Sequence, residues 1–359
     1  MTTELPATFR PMLAAKVEDY PVKGKWEFPD EPFDPAKQAL YQMHKDGLFP
    51  LHCSPKLDGI RTLVHPSLGA VTRTMNEIPN RYIYYMLKDS PELHGLDGEI
   101  VVGDIVHPQV FNRTQSVVMT HSPVETVTPF TFVVFDVFTL FNDPFPARQL
   151  WADKVVRQWR LNINGHEALN DHPGMKIITV PFIIASTPDE VLAYEERCIE
   201  EGYEGIMLRS NYSSGGYKFN RSTAKQALLI KVKRMEDAEG IIVGAEELES
   251  NQNEAKKDAF GLTERSSHKA NMVLMNTLGV MKVKVTTGKF AGVIVGIGSG
   301  FDQATRKLMW EDYKLDKINA DAPVGWKNKF LGKTVTFKYQ PHGSKDAPRI
   351  PIFKGLRHD

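Results

Sequence analysis

The chain has 359 residues, of which 42% are hydrophobic and 25% charged, and its 44 basic and 44 acidic residues give zero net charge. This length exceeds one typical hydrophobic core, so two domains are expected, and the composition is that of a globular protein. The two cysteines, Cys53 and Cys198, lie far apart and form no CxxC pair, which argues against a zinc finger or a disulfide framework and fits a reducing compartment.

The N-terminal sequence "MTTELPATFRPMLA" has no basic-then-apolar signal pattern, and no apolar run approaches the length of a membrane span. We therefore expect a cytoplasmic protein without a membrane partner. The zero charge balance neither indicates nor excludes a polyanionic partner, because affinity for phosphates depends on local clusters of basic side chains.

Strands and helices are mixed in the first two-thirds of the chain. The segment "TPFTFVVFDVFTL" (residues 128–140) is rich in Val, Phe and Thr and predicts a buried strand. Short strands are also predicted for "EGIMLRS" (204–210) and "ALLIKVKR" (227–234). Because successive side chains of a strand point to opposite faces, Lys231 and Lys233 should share one face.

One helix carries its own start and stop signals, "STPDEVLAYEERCIEEG" (186–202). Thr187 can cap it, Pro188 suits the first helical position, and Glu190 completes a capping box. Gly202 should end it.

The sequence changes character after about residue 236, where a charged connector leads into a strand, "MEDAEGIIVGAEE". A hairpin that turns at "TTGK" is predicted for residues 280–300, a helix for 302–315 and a further strand for 333–340. Short strands with one helix in roughly 120 residues favour a small β-barrel of the OB-fold type.

A polar and irregular stretch interrupts this second region, residues 249–270, "ESNQNEAKKDAFGLTERSSHKA". It predicts a long surface loop, and such loops are usually functional or disordered. The sequence leaves both possibilities open.

The stretch "CSPKLDGIR" (53–61) brings Lys56, Asp58, Gly59 and Arg61 close together. A lysine amine attacks phosphorus or a carbonyl centre only when unprotonated, whereas the ordinary lysine pKa is about 10.4. The aspartate can accept hydrogen bonds from ribose hydroxyls, the glycine lets a ligand approach the backbone, and the arginine offers a fork for a phosphate. A simple charged turn that opens a strand is the alternative.

Three further motifs each allow a functional and an ordinary interpretation. Glu99 in "LDGEI" can bind a ribose hydroxyl or a metal-bound water, although Asp-Gly commonly marks a turn. Phe135 in "FVVFDVF" can stack on a purine, although an aromatic residue in a strand is normally core. Glu204 in "EGIMLR" can ligate a divalent cation, although a solvated glutamate after a helix end is the alternative.

Basic side chains are concentrated in two places. Lys231 and Lys233 in "IKVKR" can neutralise phosphates, or they can protect an edge strand. The C-terminal stretch from Lys333 to Arg357 holds six basic residues and one acidic residue, and it ends in "RIPIFKGLRHD".

The order of these motifs resembles that of the covalent nucleotidyltransferase superfamily: DNA ligases, RNA ligases and mRNA capping enzymes. The ordered set is K-x-D-G-x-R, D-G-E, F-D, E-G and K-x-K, followed by a basic C-terminal element. The closest resemblance is to the ATP-dependent DNA ligases, because "RPMLA" (10–14), "EGIMLR" (204–209) and the C-terminal motif match the ligase forms. It covers about residues 8 to 359.

The resemblance implies an α+β protein with two domains. Residues 1–237 would form an adenylation (nucleotidyltransferase) domain of antiparallel sheets with helices, and residues 238–359 an OB-fold β-barrel hinged to it. The length leaves room for little else, so the chain is similar to the minimal ligases found in viruses and some bacteria.

The resemblance also implies a reaction: sealing of 3′-OH/5′-phosphate nicks in double-stranded DNA with ATP and Mg²⁺. Lys56 would carry AMP as a covalent adduct and pass it to the nick 5′-phosphate. A monomer acting on nicked duplex DNA is expected. The alternatives are an RNA ligase or a capping guanylyltransferase, and, in another class, a non-enzymatic OB-type nucleic-acid-binding protein.

Within that scheme the ATP-binding roles fall on matching positions. Asp58 and Glu99 would hold the ribose, Phe135 would stack on adenine, and Arg61 would contact AMP and the nick phosphate. The last motif, with Arg349, Arg357 and Asp359, would orient the leaving pyrophosphate.

The remaining roles concern charge. Glu204, together with Glu99, would position Mg²⁺, while Lys231 and Lys233 would act at the α-phosphate. Arg73, in "VTRTMNE", resembles the phosphate-binding arginine of the family and would contact DNA. The family often has glycine two residues later, where this chain has Met75.

Overall fold

The chain divides between Lys233 and Arg234 into two compact units. In the described part of the chain, no helix is both long and apolar enough to cross a membrane. The structure is a computed structural model, and it describes residues 5–6, 9–164, 174–210, 216–257, 263–266, 269–319, 327–344 and 346–357.

The first unit combines strands and helices throughout its length. Its helices are α1 (Pro35–Lys45), α2 (Arg81–Lys88), α3 (Val110–Val118), α4 (Phe145–Asn164) and α5 (Pro188–Glu200). Its strands are β1 (Ala15–Lys16), β2 (Leu51–Pro55), β3 (Ile60–His65), β4 (Gly69–Thr72), β5 (Leu96–Val101), β6 (Phe130–Val137), β7 (Met175–Thr179), β8 (Ile183–Ala185), β9 (Ile206–Ser210) and β10 (Ile230–Val232).

These strands form two five-stranded sheets, ordered β1-β10-β9-β2-β8 and β4-β3-β5-β6-β7. Each sheet is antiparallel except for one parallel pair, β1 with β10 and β6 with β7. The first sheet packs on α1 and α5, and the second on α2 and α4, so that each has its own apolar core. The chain crosses from one sheet to the other between β2 and β3, and the KLDG segment is this crossing.

Helix α5 begins and ends where its sequence signals predict, although the predicted capping box does not form at Thr187. The Thr187 hydroxyl accepts a hydrogen bond from the Glu190 N–H at 3.2 Å, and Pro188 is the first helical residue. The Glu190 carboxylate accepts from the N–H of Ser186, one residue before the cap. Gly202 follows the helix with φ +96°, the left-handed conformation that ends helices.

The second unit is built around one antiparallel sheet ordered β15-β14-β11-β16-β17. Helix α6 packs on the sheet through Met309 and Trp310, and the basic C-terminal motif forms the edge strand β17. The elements of this unit are β11 (Glu236–Asn251), β12 (Ala255–Lys257), β13 (Thr263–Arg265), β14 (Met272–Val285), β15 (Ile294–Ile297), α6 (Gln303–Ile318), β16 (Thr334–Gln340) and β17 (Arg349–Leu356).

This sheet is OB-like without being a barrel closed by a continuous ladder. Among the described residues, its two edges are joined by one parallel bridge, Ser299 with Ile352. The predicted hairpin at residues 280–300 corresponds to the pair β14–β15, and the predicted helix to α6 with Asp302 as its cap. The predicted boundary at residue 237 lies inside β11.

The prediction of a surface loop over residues 249–270 is wrong. β11 runs to Asn251 and pairs with β14 as far as Met272, and β12 pairs with β13 as a two-stranded extension. In this ribbon the side chains of residues 246–251 of β11 and 272–277 of β14 are exposed or half-buried on both faces, so the sequence lacks the apolar alternation that reveals a half-buried strand. Residues 258–262 and 267–268 of this segment lie outside the described residues.

Candidate functional site

A cavity of about 240 Å³ opens beside the crossing between the two sheets of the first unit. Six of the residues singled out from the sequence line it: Lys56, Arg61, Arg73, Glu99, Phe135 and Lys231.

The Lys56 amine lies at this cavity in an ion-pair cluster with Glu204 and Lys233. Glu204 pairs with Lys56 through one carboxylate oxygen and with Lys233 Nζ through the other, at 2.6 Å in the second case. Backbone hydrogen bonds lock the partners together, Lys56 N to Gly205 O at 2.8 Å and Glu204 N to Lys56 O at 3.2 Å. Burial alone would raise the pKa of Glu204, but the two lysines outweigh it and lower that pKa.

Lys231 projects into the same cavity from β10. Burial, and then the charges of Lys56 and Lys233, lower the pKa of Lys231. Strand β10 covers only Ile230–Val232, which is shorter than the predicted 227–234, so Lys233 lies just after the strand. Lys233 nevertheless lies near Lys56 and Lys231, since it pairs with Glu204 and its charge and that of Lys56 act on Lys231.

Arg61 is held by protein groups rather than left free at the cavity wall. Its Nε and Nη2 donate to the two oxygens of Asp97 at 2.9 and 2.6 Å. Nη1 donates to the carbonyl of Met12 at 2.7 Å, and Nη2 donates also to the Tyr217 hydroxyl at 3.2 Å. The guanidinium carbon lies 5.5 Å from the ring centre of Phe135, so the arginine and the predicted stacking residue form one wall.

Gly59 and Glu99 form a close contact below Lys56. The Gly59 N–H donates to Glu99 Oε1 at 3.2 Å, and a Cβ at residue 59 would lie 2.2 Å from the carbonyl oxygen of Ile100. Only glycine fits there. Burial raises the pKa of Glu99 to about 7 against the opposing charges of Lys56 and Arg61, although part of the side chain faces the cavity.

This raised pKa predicts a pH dependence of stability that belongs to Glu99. The folded-state pKa of about 7 exceeds the ordinary value of 4.5, so the folded chain binds this proton more tightly than the unfolded chain. The stabilisation is fully present below pH 4.5 and is lost as the pH rises through about 7. We expect Glu99→Gln to lose less free energy of unfolding than the wild type over this interval, measured by urea titration at each pH. Parallel curves for the two proteins would contradict the assignment.

Arg73 lies at the cavity in a turn after β4, where Met75 stands at the position that is often glycine. Met75 has φ +69° and is 1% exposed. The left-handed backbone explains why glycine suits the position, and burial of the methionine side chain offsets the strain.

Other predicted residues lie outside the cavity lining. Asp58 is buried beside it, close enough for its charge to oppose the lowering of the Glu204 pKa by the two lysines. Arg349 begins β17 in the second unit, and Arg357 follows that strand and pairs with Glu239 at 2.6 Å. Asp359 lies outside the described residues.

The structure also adds polar residues that the motifs did not single out. Arg221 and Arg209 line the cavity, and Arg209 forms an ion pair with Asp136, which Arg148 also binds. Asp136 is the aspartate of the F-D motif and Arg209 is the last residue of "EGIMLR", so the sequence carried a signal for both, although no role was assigned to either. Arg221 lies in a segment without a regular pattern, and nothing in the sequence marked it.

The arrangement suits nucleotide chemistry. A primary amine meets an aromatic wall and a ring of cations, where a phosphate anion would be stabilised. The cations that line the cavity are Lys56, Arg61, Arg73, Arg209, Arg221 and Lys231.

Two family models match the chain. One, described as "ATP dependent DNA ligase domain", matches residues 31–233, which is more than half of the chain. The other, described as "DNA ligase OB-like domain", matches residues 271–357.

Individual relatives and solved structures are also similar to the chain. The SPbeta prophage-derived DNA ligase-like protein LigB of Bacillus subtilis (strain 168) is 26% identical over 169 residues, 46% of this chain and 56% of that protein. The chain thus matches about half the length of this relative. A solved structure from the Lig E DNA ligases, described as DNA binding with a minimal scaffold, is 22% identical with a TM-score of 0.54, covering 86% of this chain and 93% of that one. The solved structure of Chlorella virus DNA ligase-adenylate is 25% identical with a TM-score of 0.45, and the match covers 97% of this chain and 99% of that one.

Proposed function

Since the chain belongs to the ATP-dependent DNA ligase family, we propose that it seals 3′-OH/5′-phosphate nicks in double-stranded DNA with ATP. The observation that supports this most directly is Lys56, a primary amine held by Glu204 at a cavity lined with cations and an aromatic ring. An amine so placed can reach a phosphate that the cations hold.

The reaction begins with self-adenylation. The unprotonated Lys56 amine forms a bond to the α-phosphorus of ATP as the bond from that phosphorus to the pyrophosphate oxygen breaks. The amine loses a proton, and pyrophosphate leaves. AMP then passes to the 5′-phosphate of the nick, which regenerates the lysine, and the 3′-hydroxyl displaces AMP to form the phosphodiester.

The cavity residues divide this work. Lys231 and Lys233 offset the charge that develops on the α-phosphate, because cations already in place need no rearrangement. Phe135 stacks on adenine, and Asp58 and Glu99 accept hydrogen bonds from the ribose.

Arg61 contributes less to phosphate binding than a free guanidinium would. Asp97, Met12 and Tyr217 already occupy most of its N–H groups. It therefore offers a single contact to AMP and to the nick phosphate rather than a fork.

A divalent ion fits this site as a partner of ATP. Among the described residues no cluster of three or more His, Cys, Asp or Glu could hold a metal. Mg²⁺ commonly needs only one or two carboxylates plus substrate phosphates, and Glu99 and Glu204 would provide these oxygens. When bound, the ion supplies positive charge to the phosphates, and Glu204 would exchange a lysine contact for it.

We assign residues 1–237 to the adenylation domain and 238–359 to the OB domain of this ligase. The family models match within these ranges. Arg349, Arg357 and Asp359 orient the leaving pyrophosphate when the second domain closes, and the chain acts as a monomer.

One labelling experiment tests the function. ATP labelled at the α-phosphate is incubated with the protein and Mg²⁺, and nicked duplex DNA is then added. The label should move from the protein to the DNA 5′-end and appear as free AMP when the nick closes. Transfer of GMP but not AMP from labelled GTP would indicate a capping-type enzyme, and sealing restricted to RNA would indicate an RNA ligase.

DNA binding should be steeply salt-dependent, because a ligase grips the phosphate backbone regardless of sequence. Arg73 and the ribbon β11–β14 are the expected contacts. Affinity for nicked duplex should fall on the order of 10³-fold between about 50 and 200 mM salt, measured by fluorescence anisotropy. Arg73→Ala should lower the affinity and flatten the log–log slope, and an unchanged slope would remove Arg73 from the DNA interface.

A further inference from the structure

The Tyr217 hydroxyl is the meeting point of three distant segments beneath the cavity. It donates to Asp97 Oδ2 at 2.6 Å and accepts from Arg61 Nη2 at 3.2 Å and from the Met12 N–H at 3.1 Å. A hydroxyl has one donor and two acceptor sites, so these contacts use all of them. The residue is 3% exposed, and its own N–H donates to the carbonyl of Phe141 at 2.8 Å.

The same contacts determine how Arg61 faces the cavity. A guanidinium has five N–H groups. Within the described part of the chain, Asp97 takes two of them, Met12 one and Tyr217 one, which leaves a single N–H on Nη1. The direction of this remaining N–H therefore depends on all the other contacts of the Arg61 guanidinium.

Tyr217 controls this geometry more than Asp97 alone can. A carboxylate can rotate with the arginine it binds, whereas Tyr217 is fixed by its backbone bond and by ring packing. The guanidinium carbon of Arg148 lies 5.8 Å from its ring centre, and the ring of Phe138 lies 6.4 Å away. Burial, and then the charge of Asp97, raise the pKa of Tyr217 well above its ordinary value, so the hydroxyl keeps the proton it donates.

Phe135 belongs to the same wall of the cavity as Arg61. The Arg61 guanidinium carbon lies 5.5 Å from the centre of the Phe135 ring, so the donor that Tyr217 directs lies beside the surface on which a base would stack. The Met12 N–H donates to the same hydroxyl, so Tyr217 also fixes the position of the segment "RPMLA".

We infer that Tyr217 is a positioning residue for self-adenylation, which acts through Arg61 by fixing the direction of its one available N–H. This inference rests on the proposed function. It predicts that loss of the hydroxyl slows the chemical step while leaving nucleotide affinity nearly intact.

The test is a double-mutant cycle on single-turnover adenylation, with Tyr217→Phe, Arg61→Lys and the double variant. Tyr217→Phe should lower the maximal rate about 10- to 100-fold, because small displacements at a reacting centre cost this much. KM for ATP should change by less than about 3-fold. In the Arg61→Lys background, which retains the cation for Asp97, the further loss should be below about 2-fold.

Tyr20→Phe is the matched control. Tyr20 is also a buried tyrosine whose hydroxyl donates to a carboxylate, Asp46 at 2.8 Å, and it lies outside the cavity lining. Its loss should leave adenylation within about 2-fold of the wild type. Thermal unfolding of both variants separates lost stability from lost positioning.

Three results would overturn the inference while the wild type still forms its adduct. They are a normal rate in Tyr217→Phe, an effect that multiplies independently with Arg61→Lys, and a loss that appears only as a higher KM. If Tyr217→Phe does not fold, Asp97→Asn tests the same contacts, and a normal rate in that variant is equally contrary. A wild type that forms no adduct would remove the proposed function and the inference with it.

Discussion

Replacing Lys56 by alanine is expected to abolish the covalent protein–AMP adduct and to lower the rate of self-adenylation by on the order of 10⁴-fold or more. Lys231 and Lys233 lie in the same cluster, but only the Lys56 amine occupies the crossing between the sheets. The measurement is mass spectrometry of the protein after incubation with ATP and Mg²⁺. The wild type should gain the mass of one adenylate at Lys56.

Two companion variants separate chemistry from charge. Lys56→Arg keeps a cation beside Glu204, yet a guanidinium stays protonated and cannot attack, so it should also form no adduct. Lys37→Ala removes a half-buried lysine outside the cavity lining, which pairs with Glu31 at 2.7 Å, and should leave the adduct intact. Binding of nicked DNA should persist in all three. An adduct on Lys56→Ala, or one carried by another lysine of the wild type, would show that the nucleophile is elsewhere.

The family and the fold class were predictable because their signals are local. The K-x-D-G-x-R motif needs a lysine, an acid and a glycine within a few residues, and the structure gives a local reason for the glycine in its contact with Ile100. The family match and the fold likeness confirm the predicted ATP-dependent DNA ligase family and α+β class. The roles of individual side chains remain predictions.

The contacts that shape the cavity were not predictable from motifs. Tyr217 reaches Asp97 and Arg61 across 120 and 156 residues of sequence, and no periodic pattern encodes such a meeting. The hydrogen-bond partners of the buried Arg61 guanidinium depend on how the two sheets pack. A short motif does not specify that packing. The same reasoning explains why Arg61 was expected as a free phosphate fork.

The error over residues 249–270 has a different cause. A strand is recognised from sequence by alternation between a buried and an exposed face. The ends of β11 and β14 that pair here are exposed or half-buried, and β12 and β13 extend them as a further backbone pair, so backbone hydrogen bonds rather than burial organise the segment. The polar composition of this segment is therefore typical of a loop, although its described strands are extended and paired.

Replacing Glu204 by alanine should lower nick sealing by about 10²- to 10³-fold, the loss typical of removing one preorganised electrostatic contact. Its carboxylate is 4% exposed and pairs with Lys56 and Lys233 at once. Without it, the two lysines repel each other and Lys231, and the nucleophile loses the contact that holds it at the cavity. The proposed magnesium site also loses one of its two carboxylates. Single-turnover sealing of nicked duplex at several Mg²⁺ concentrations is the measurement.

Two further variants separate the effect of the Glu204 charge from that of its size and of burial in general. Glu204→Gln keeps the size and should be nearly as impaired as Glu204→Ala, because charge rather than shape holds both lysines and the metal ion. Glu195→Gln alters another buried glutamate, on α5, and should seal normally. If both Glu204 variants seal within about 3-fold of the wild type, the carboxylate organises neither the lysines nor the metal ion. If raised Mg²⁺ restores Glu204→Gln fully, metal affinity was its main contribution; if it does not, the position of Lys56 was.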